Sequence, residues 1–173
     1  MKKYHNCLYK YAIVLIFALN IVTYGLNWNF ETSGTFDAVN EEYLFSSHLQ
    51  TTSHLTIYGR SPPLTRSEFR QTSNKRHFYT SHTLYFEHIN FTNGRESYGA
   101  SFYLNSFAKL TIKACSFYNN KATRRGGVIY HDNLYHKNTY NHVDHKQVYL
   151  LNSEFYYNTA ASQGGVVGGV NLR

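Results

Sequence analysis

The sequence predicts an all-β protein built from similar, stacked coils, and three observations support this fold class. Three segments of one pattern align without gaps. Aromatic residues form 17% of the 173 residues, with 17 Tyr and 12 Phe, and such residues favour strands. Only two prolines occur, as expected where most backbone N–H groups pair within sheets. The same composition excludes a disordered chain and a coiled coil.

Residues 1–25 have the organisation of a secretory signal. Three lysines and no acid precede an uncharged, apolar run from Tyr11 to Val22, and small residues lead to Gly25. The run is shorter than the roughly 20 residues of a membrane-spanning helix. Cleavage after Gly25 is the prediction, and an uncleaved anchor is the alternative.

The remainder divides into two parts. Residues 26–75 carry no clear motif, so we interpret them as an N-terminal cap with irregular first coils. Residues 76–173 carry the repeats, interrupted by a polar insertion at 131–147 that reads as a loop.

The repeated segments are Leu84–Phe91, Leu110–Phe117 and Val148–Phe155. Each starts with the alternation of a strand and then skips one residue before a Phe, which predicts a corner between two short strands. A unit of this size cannot bury its own apolar face, whereas stacked copies can, as in a parallel β-helix. The predicted inward columns are Leu84/Leu110/Val148, Ile89/Cys115/Ser153 and Phe91/Phe117/Phe155.

Two short motifs follow each of the last two corners at a fixed spacing. Each glycine pair begins nine positions after the Phe, and an Asn lies in between. The Asn residues shortly after each of the three phenylalanines suit turns with left-handed backbone angles, and they are Asn93, Asn119, Asn120 and Asn158. The paired glycines suit close approach between coils. The motif residues are Phe117, Asn120, Gly126 and Gly127, and Phe155, Asn158, Gly164 and Gly165.

This F-x-x-N motif followed by G-G-apolar-apolar resembles the repeat of the polymorphic outer-membrane protein family. It is also similar to surface proteins with pectin-lyase-like, right-handed β-helices. The resemblance covers roughly residues 76–170 and implies a right-handed parallel β-helix, secreted or at a cell surface, that works in adhesion or display. It implies no catalytic residues. We expect three or four coils.

The chain stops where the repeat requires another strand and corner, so we expect a fold that is incomplete at its C-terminus. The expected protein is a fragment of a longer chain or a truncated gene product. Its expected function is that of an adhesin-like, non-catalytic interaction module without cofactor or metal. Its partners would be a protein or glycan at a cell surface and further β-helix coils, with membrane contact only through the N-terminal signal or a C-terminal anchor.

Two other functions stay open. One is a carbohydrate-active β-helix enzyme, or an inactive relative that binds carbohydrate. Glycoside hydrolysis needs two carboxylates close together, whereas Glu87 and Glu154 on the repeat strands fall in different columns. The other is a non-functional remnant of a larger gene.

The inserted loop is rich in histidine. A polar surface loop, available for interactions, is the favoured interpretation, while the His142-x-x-His145 spacing leaves zinc binding as the alternative. The histidines assigned to this loop are His131, His136, His142 and His145.

Several single residues carry smaller predictions. Asn90 begins the sequon Asn-Phe-Thr and is expected to face outward, where it can carry a glycan. Cys115 is expected to be a small buried hydrophobe rather than half of an intermolecular disulfide. Outward tyrosines offer rings for stacking on sugars or for protein contacts, and they are Tyr118, Tyr130, Tyr149 and Tyr156.

Net charge argues against a nucleic-acid partner. The chain carries +7, but the three lysines of the signal leave with it, so the mature chain has 14 basic and 10 acidic residues. The basic residues are scattered along the sequence, whereas nucleic-acid binding needs a clustered basic footprint.

Overall fold

The protein is described by a computed structural model that covers residues 34–38, 41–105, 108–132 and 148–169. These residues contain 18 short β-strands and no helix. The predicted signal segment, residues 1–25, lies outside the described residues, as does most of the inserted loop.

The strands follow one another around five coils. The first two coils have three strands each: β1 (Gly34–Ala38), β2 (Glu42–Phe45) and β3 (Leu49–Thr51), then β4 (Leu55–Gly59), β5 (Ser67–Gln71) and β6 (Phe78–Thr80). The third and fourth have four: β7 (Thr83–Glu87), β8 (Ile89–Thr92), β9 (Arg95–Tyr98) and β10 (Phe102–Asn105), then β11 (Lys109–Lys113), β12 (Ser116–Tyr118), β13 (Lys121–Arg125) and β14 (Ile129–Asp132). The fifth has β15 (Val148–Leu151), β16 (Glu154–Tyr156), β17 (Thr159–Ala160) and β18 (Val167–Gly169).

Equivalent strands of successive coils pair in parallel and form four sheets. Sheet A has the order β1-β4-β7-β11-β15, sheet B the order β2-β5-β8-β12-β16, sheet C the order β3-β6-β10-β14-β18 and sheet D the order β9-β13-β17. This is the architecture of a parallel β-helix, so the predicted fold class is confirmed.

The described residues form five coils, one or two more than the three or four that the sequence predicts. The additional coils come from the region interpreted as a cap with irregular coils, where β1 to β6 pair in register with the strands above them. These two coils lack a strand in sheet D. They therefore have no need of the Asn and Gly corners by which the later coils are recognised in the sequence.

The core consists of columns of side chains that repeat from coil to coil. Phe91, Phe117 and Phe155 occupy equivalent positions in sheet B. The rings of Phe91 and Phe117 stack at 5.0 Å with 9° between their planes, and those of Phe117 and Phe155 stack at 5.0 Å with 5°. Phe69 and Tyr43 continue the column through the first two coils.

The other two predicted columns are also present. Leu84, Leu110 and Val148 are register partners in sheet A. Cys115 is fully buried, its backbone N–H donates to Ser153 Oγ at 3.2 Å, and its Sγ accepts from the Ile89 N–H at 3.5 Å. Burial raises the pKa of the Cys115 thiol to about 12, so the thiol stays protonated and unreactive at neutral pH.

One titratable side chain lies among these aromatic columns. His77 is fully buried, and its Nε2–H donates to the carbonyl oxygen of Phe69 at 2.9 Å. Its ring meets those of Phe45 and Phe91 edge-on at 6.2 and 5.5 Å. Burial lowers the pKa of His77 from 6.5 to about 4, because the imidazolium form would lose its hydration.

Phe117→Ala tests the energetic weight of the phenylalanine column. Removing a ring stacked on both sides should lower the free energy of unfolding by about 3–5 kcal/mol, measured by urea denaturation. The control is Tyr118→Ala, at an adjacent residue that is 48% exposed, which should stay within about 0.5 kcal/mol of the wild type. Equal losses in the two variants would contradict the column.

His77 should make the fold sensitive to mild acid. Its folded pKa lies below the unfolded value of 6.5, so the unfolded chain binds the extra proton as pH falls from 6.5 towards 4. The free energy of unfolding should drop in that window by up to about 3 kcal/mol. Denaturation at several pH values should show that the free energy of unfolding of His77→Gln falls less over this window than that of the wild type. An NMR titration in which His77 of the folded protein has a pKa near 6.5 would refute the predicted acid sensitivity.

Candidate functional site

The corners of the third to fifth coils need residues in the left-handed backbone region. Each of these coils has three such residues, and within the described chain all residues of positive φ belong to these corners. In the fourth coil they are Ala114, Asn119 and Gly126, with φ of 50°, 54° and 67°. Their equivalents are His88, Asn93 and Gly99 in the third coil and Asn152, Tyr157 and Gly164 in the fifth.

The motif asparagines join the coils instead of adopting left-handed angles. Asn120 Oδ1 accepts from the Gly94 N–H at 2.8 Å, and Asn120 Nδ2 donates to the Phe91 carbonyl at 3.0 Å. One coil further, Asn158 Oδ1 accepts from the N–H and the Nδ2 of Asn120 at 3.1 and 2.9 Å. The turn prediction is therefore correct for Asn93 and Asn119 but wrong for Asn120 and Asn158, which form a ladder of amides.

The two glycines of each pair have different roles. Gly126 and Gly164 have φ of 67° and 66°, which strains any residue with a side chain. Gly127 is required by close approach, because an added Cβ would overlap the carbonyl oxygen of Gly165 in the next coil. Gly165 itself is less restricted, because the atom nearest to an added Cβ is the backbone carbonyl oxygen of Asn158, at 3.5 Å.

Seven of the eight motif residues, all except Gly165, thus have a defined role in the scaffold. The phenylalanines fill the core, the asparagines bridge coils through amide hydrogen bonds, and the glycines form corners or allow the coils to approach. Function has to be sought on the outer faces.

A strip of exposed aromatic rings lies on the outside of the fourth and fifth coils. Tyr118 and Tyr156 are register partners in sheet B, with exposed fractions of 48% and 51%. Tyr157 is 74% exposed at the following corner and meets the Tyr118 ring edge-on at 5.4 Å. We call Tyr118, Tyr156 and Tyr157 the aromatic strip. Tyr149, on sheet A, is also exposed.

Tyr130 lies on the outer face of sheet C, as predicted, beside its register partner Tyr103. It does not belong to the exposed set, so the prediction that its ring is available for stacking is wrong. It is 5% exposed, because the rings of Tyr98 and Tyr103 cover it at centroid distances of 4.8 and 5.3 Å. Tyr103 in turn stacks on Tyr79 at 5.0 Å and lies 4.8 Å below the Arg76 guanidinium. The outer face of sheet C is thereby packed with tyrosines that contact one another.

The carboxylates form no free pair among the described residues. Glu87 accepts from Tyr85 OH at 2.5 Å and pairs with Lys113 Nζ at 2.9 Å. On sheet B, Glu42 and Glu68 are neighbours on adjacent coils.

Arg70 lies between these two acids, with Nη2 at 2.6 Å from Glu42 and Nε at 3.1 Å from Glu68. Glu68 also accepts from the Thr92 hydroxyl at 2.6 Å, and Glu154 lies 3.6 Å from Arg66. Within the part of the chain that the structure describes, no group of three His, Cys, Asp or Glu side chains has the geometry of a metal site.

Only one of the four histidines predicted in the inserted loop lies within the described residues. His131 lies in β14 and is 7% exposed, because the strand continues through Asp132, so its assignment to the loop is wrong. His136, His142 and His145 lie outside the described residues.

Asn90 lies in β8, with its neighbours Ile89 and Phe91 fully buried and Asn90 itself half-buried. Its Oδ1 accepts from Ser116 Oγ at 2.7 Å. The outward position of Asn90 agrees with the expectation, and the glycan stays a prediction.

Comparison with known proteins adds one match. The family model of the Chlamydia polymorphic membrane protein repeat matches residues 114–132, which run from the left-handed corner at Ala114 to the end of β14 and include the first complete motif pair. The resemblance is confirmed. The polymorphic membrane protein repeat therefore supports, in coarse terms, a protein of the cell-surface class. No curated protein and no solved structure matches the chain.

The described residues also contain no helix long and apolar enough to cross a membrane.

Asn120→Ala tests the amide ladder between the coils. It leaves a buried Gly94 N–H and Phe91 carbonyl without their partner, and each lost partner costs about 1–3 kcal/mol. Urea denaturation should show a loss of at least about 2 kcal/mol. Asn74→Ala, at an exposed position, is the control and should be close to neutral. A neutral Asn120→Ala variant would contradict the ladder.

Proposed function

We propose that this chain is a non-catalytic, adhesin-like module of a cell surface that binds a protein or a glycan through its outer faces. The observation that supports this most directly is the use of the repeat motif. Its phenylalanines stack and its asparagines bridge from coil to coil, and its glycines form corners or allow close approach. The repeat thus supplies the scaffold, and the outward residues are available for binding.

The aromatic strip is the binding surface that we favour. Exposed tyrosines combine an apolar ring with a hydroxyl, so they stack on sugar rings and are common at the centres of protein interfaces. The contact between Tyr118 and Tyr157 restricts both rings before binding, which lowers the entropic cost of ordering them against a ligand.

Catalysis is the less favoured alternative. A glycosidase needs one carboxyl group as an acid and a second as a base or nucleophile at a defined separation. The adjacent Glu42 and Glu68 both bind Arg70, which holds them as an ion-paired cluster. The arrangement is that of a structural ion pair on the surface of the rod.

Secretion and display at the cell surface complete the proposal. The basic, then apolar character of residues 1–25 supports export, and the polymorphic membrane protein repeat at residues 114–132 supports a surface location. The outer faces then meet the extracellular medium, where glycans and surface proteins are the available partners.

Binding to cultured epithelial cells and to a printed glycan array tests this function. Labelled wild-type protein should bind at least one of the two surfaces, and a Tyr118→Ser/Tyr156→Ser double variant should lose about tenfold or more in affinity, as expected for central aromatic contacts.

The control is Tyr58→Ser, which removes a tyrosine of 39% exposure in the second coil and should bind normally. A wild-type protein that binds neither surface would overturn the proposal, as would an equal loss in the Tyr58 variant. Release of oligosaccharide products from the polysaccharides of the array would favour the enzyme instead.

A further inference from the structure

A groove runs along the outer face of sheet D, on a different sheet from the aromatic strip. It has a volume of about 650 Å³ and crosses β9, β13 and β17 of three successive coils. Its polar lining includes Arg95 and Ser97 on β9, Lys121 and Thr123 on β13 and Thr159 at the start of β17. We call these five residues the basic groove.

The two cations of the basic groove are neighbours by register. Arg95 pairs with Lys121, and Lys121 pairs with Thr159, in the parallel ladder. Adjacent strands lie about 4.8 Å apart, so the two side chains start from adjacent points on one face. Like charges at directly opposed positions destabilise a sheet, and this repulsion is relieved when an anion binds both.

Among the described residues, no carboxylate neutralises these two cations. Neither the Arg95 nor the Lys121 side chain forms an ion pair there with a carboxylate. Glu96 also lines the groove, but its carboxylate faces Arg76 Nη2 at 3.5 Å. The lining of the groove therefore keeps a net positive charge, with hydroxyl groups beside the two cations.

We propose that the basic groove binds a sulfated glycan. A sulfate ester presents three oxygens, so it can accept from the planar Arg95 guanidinium, the Lys121 ammonium and a neighbouring hydroxyl together. A carboxylate has two oxygens and satisfies fewer of these donors. The hydroxyls of Ser97, Thr123 and Thr159 serve the sugar as further donors and acceptors.

Sulfated glycan fits the groove better than single-stranded nucleic acid does. Proteins that bind single strands combine basic residues with aromatic side chains on which bases stack. The residues that line this groove include three alanines and no aromatic ring. The nearby Tyr98 ring is occupied by Arg124, whose Nη1 donates to the Tyr98 hydroxyl at 2.9 Å.

Titration of the full chain with a heparin octasaccharide tests the proposal. We expect saturable binding that weakens with added salt. Arg95→Ala/Lys121→Ala should lower the affinity by at least about tenfold, because hydrogen bonds to charged groups are lost at two positions. Polygalacturonate, which carries carboxylates alone, should bind more weakly than heparin.

Lys109→Ala is the matched control for the Lys121→Ala change in the double variant. Both lysines are exposed and begin a strand of the fourth coil, Lys109 on sheet A and Lys121 on sheet D. The Lys109 variant should retain heparin binding, and so should the Tyr118→Ser/Tyr156→Ser variant, which separates this site from the proposed adhesive strip.

Three outcomes would overturn the sulfated-glycan site. The first is that the wild type does not bind heparin, and the second is that Lys109→Ala loses as much affinity as Arg95→Ala/Lys121→Ala. The third is that a single-stranded oligonucleotide binds as tightly as heparin and that this binding is lost in the same double variant. Circular dichroism of each variant confirms that the sheets are retained.

Discussion

The structure depends on the parallel register between coils. Each strand pairs with the equivalent strand of the coils beside it, so a residue type chosen at one position is repeated at the spacing of a sheet, about 4.8 Å. At this spacing aromatic rings stack face to face, as Phe91, Phe117 and Phe155 do. The same spacing lets one side-chain amide reach the next, which makes Asn120 and Asn158 a ladder. Core, corner and amide ladder are consequences of one pairing rule.

This rule explains which coils the sequence reveals. A corner that requires glycine is recognisable in the sequence, as at Gly126 and Gly164, whose φ angles are positive. The first corner of the third to fifth coils has a similar backbone angle, but it is occupied by His88, Ala114 and Asn152, which share no side-chain property. The first two coils have no strand in sheet D and carry neither the motif asparagine nor the glycine pair. Their strands were therefore predictable as β-structure but not as members of the same stack.

The outer faces were less predictable than the core, again for a physical reason. Alternation along a strand gives the direction of a side chain, and it is sufficient for Tyr118 and Tyr156, which are exposed. It fails for Tyr130 because a residue from another sheet, Tyr98, packs on its ring at 4.8 Å. Exposure thus depends on neighbours that are distant in sequence. The burial of His131 was not predictable either, because it depends on β14 extending as far as Asp132.

Register also creates surface chemistry that the linear sequence conceals. Arg95 and Lys121 are 26 positions apart in the sequence, yet the ladder makes them direct neighbours. A net charge spread over scattered residues is therefore compatible with a local cationic site, provided that two coils present a cation at the same position. In a stacked fold, outward residues have to be compared by column, as the core is, before a charged ligand is excluded. Compared in this way, sheet D carries a cation pair without a neutralising acid among the described residues, while the acids of sheet B are held by Arg70.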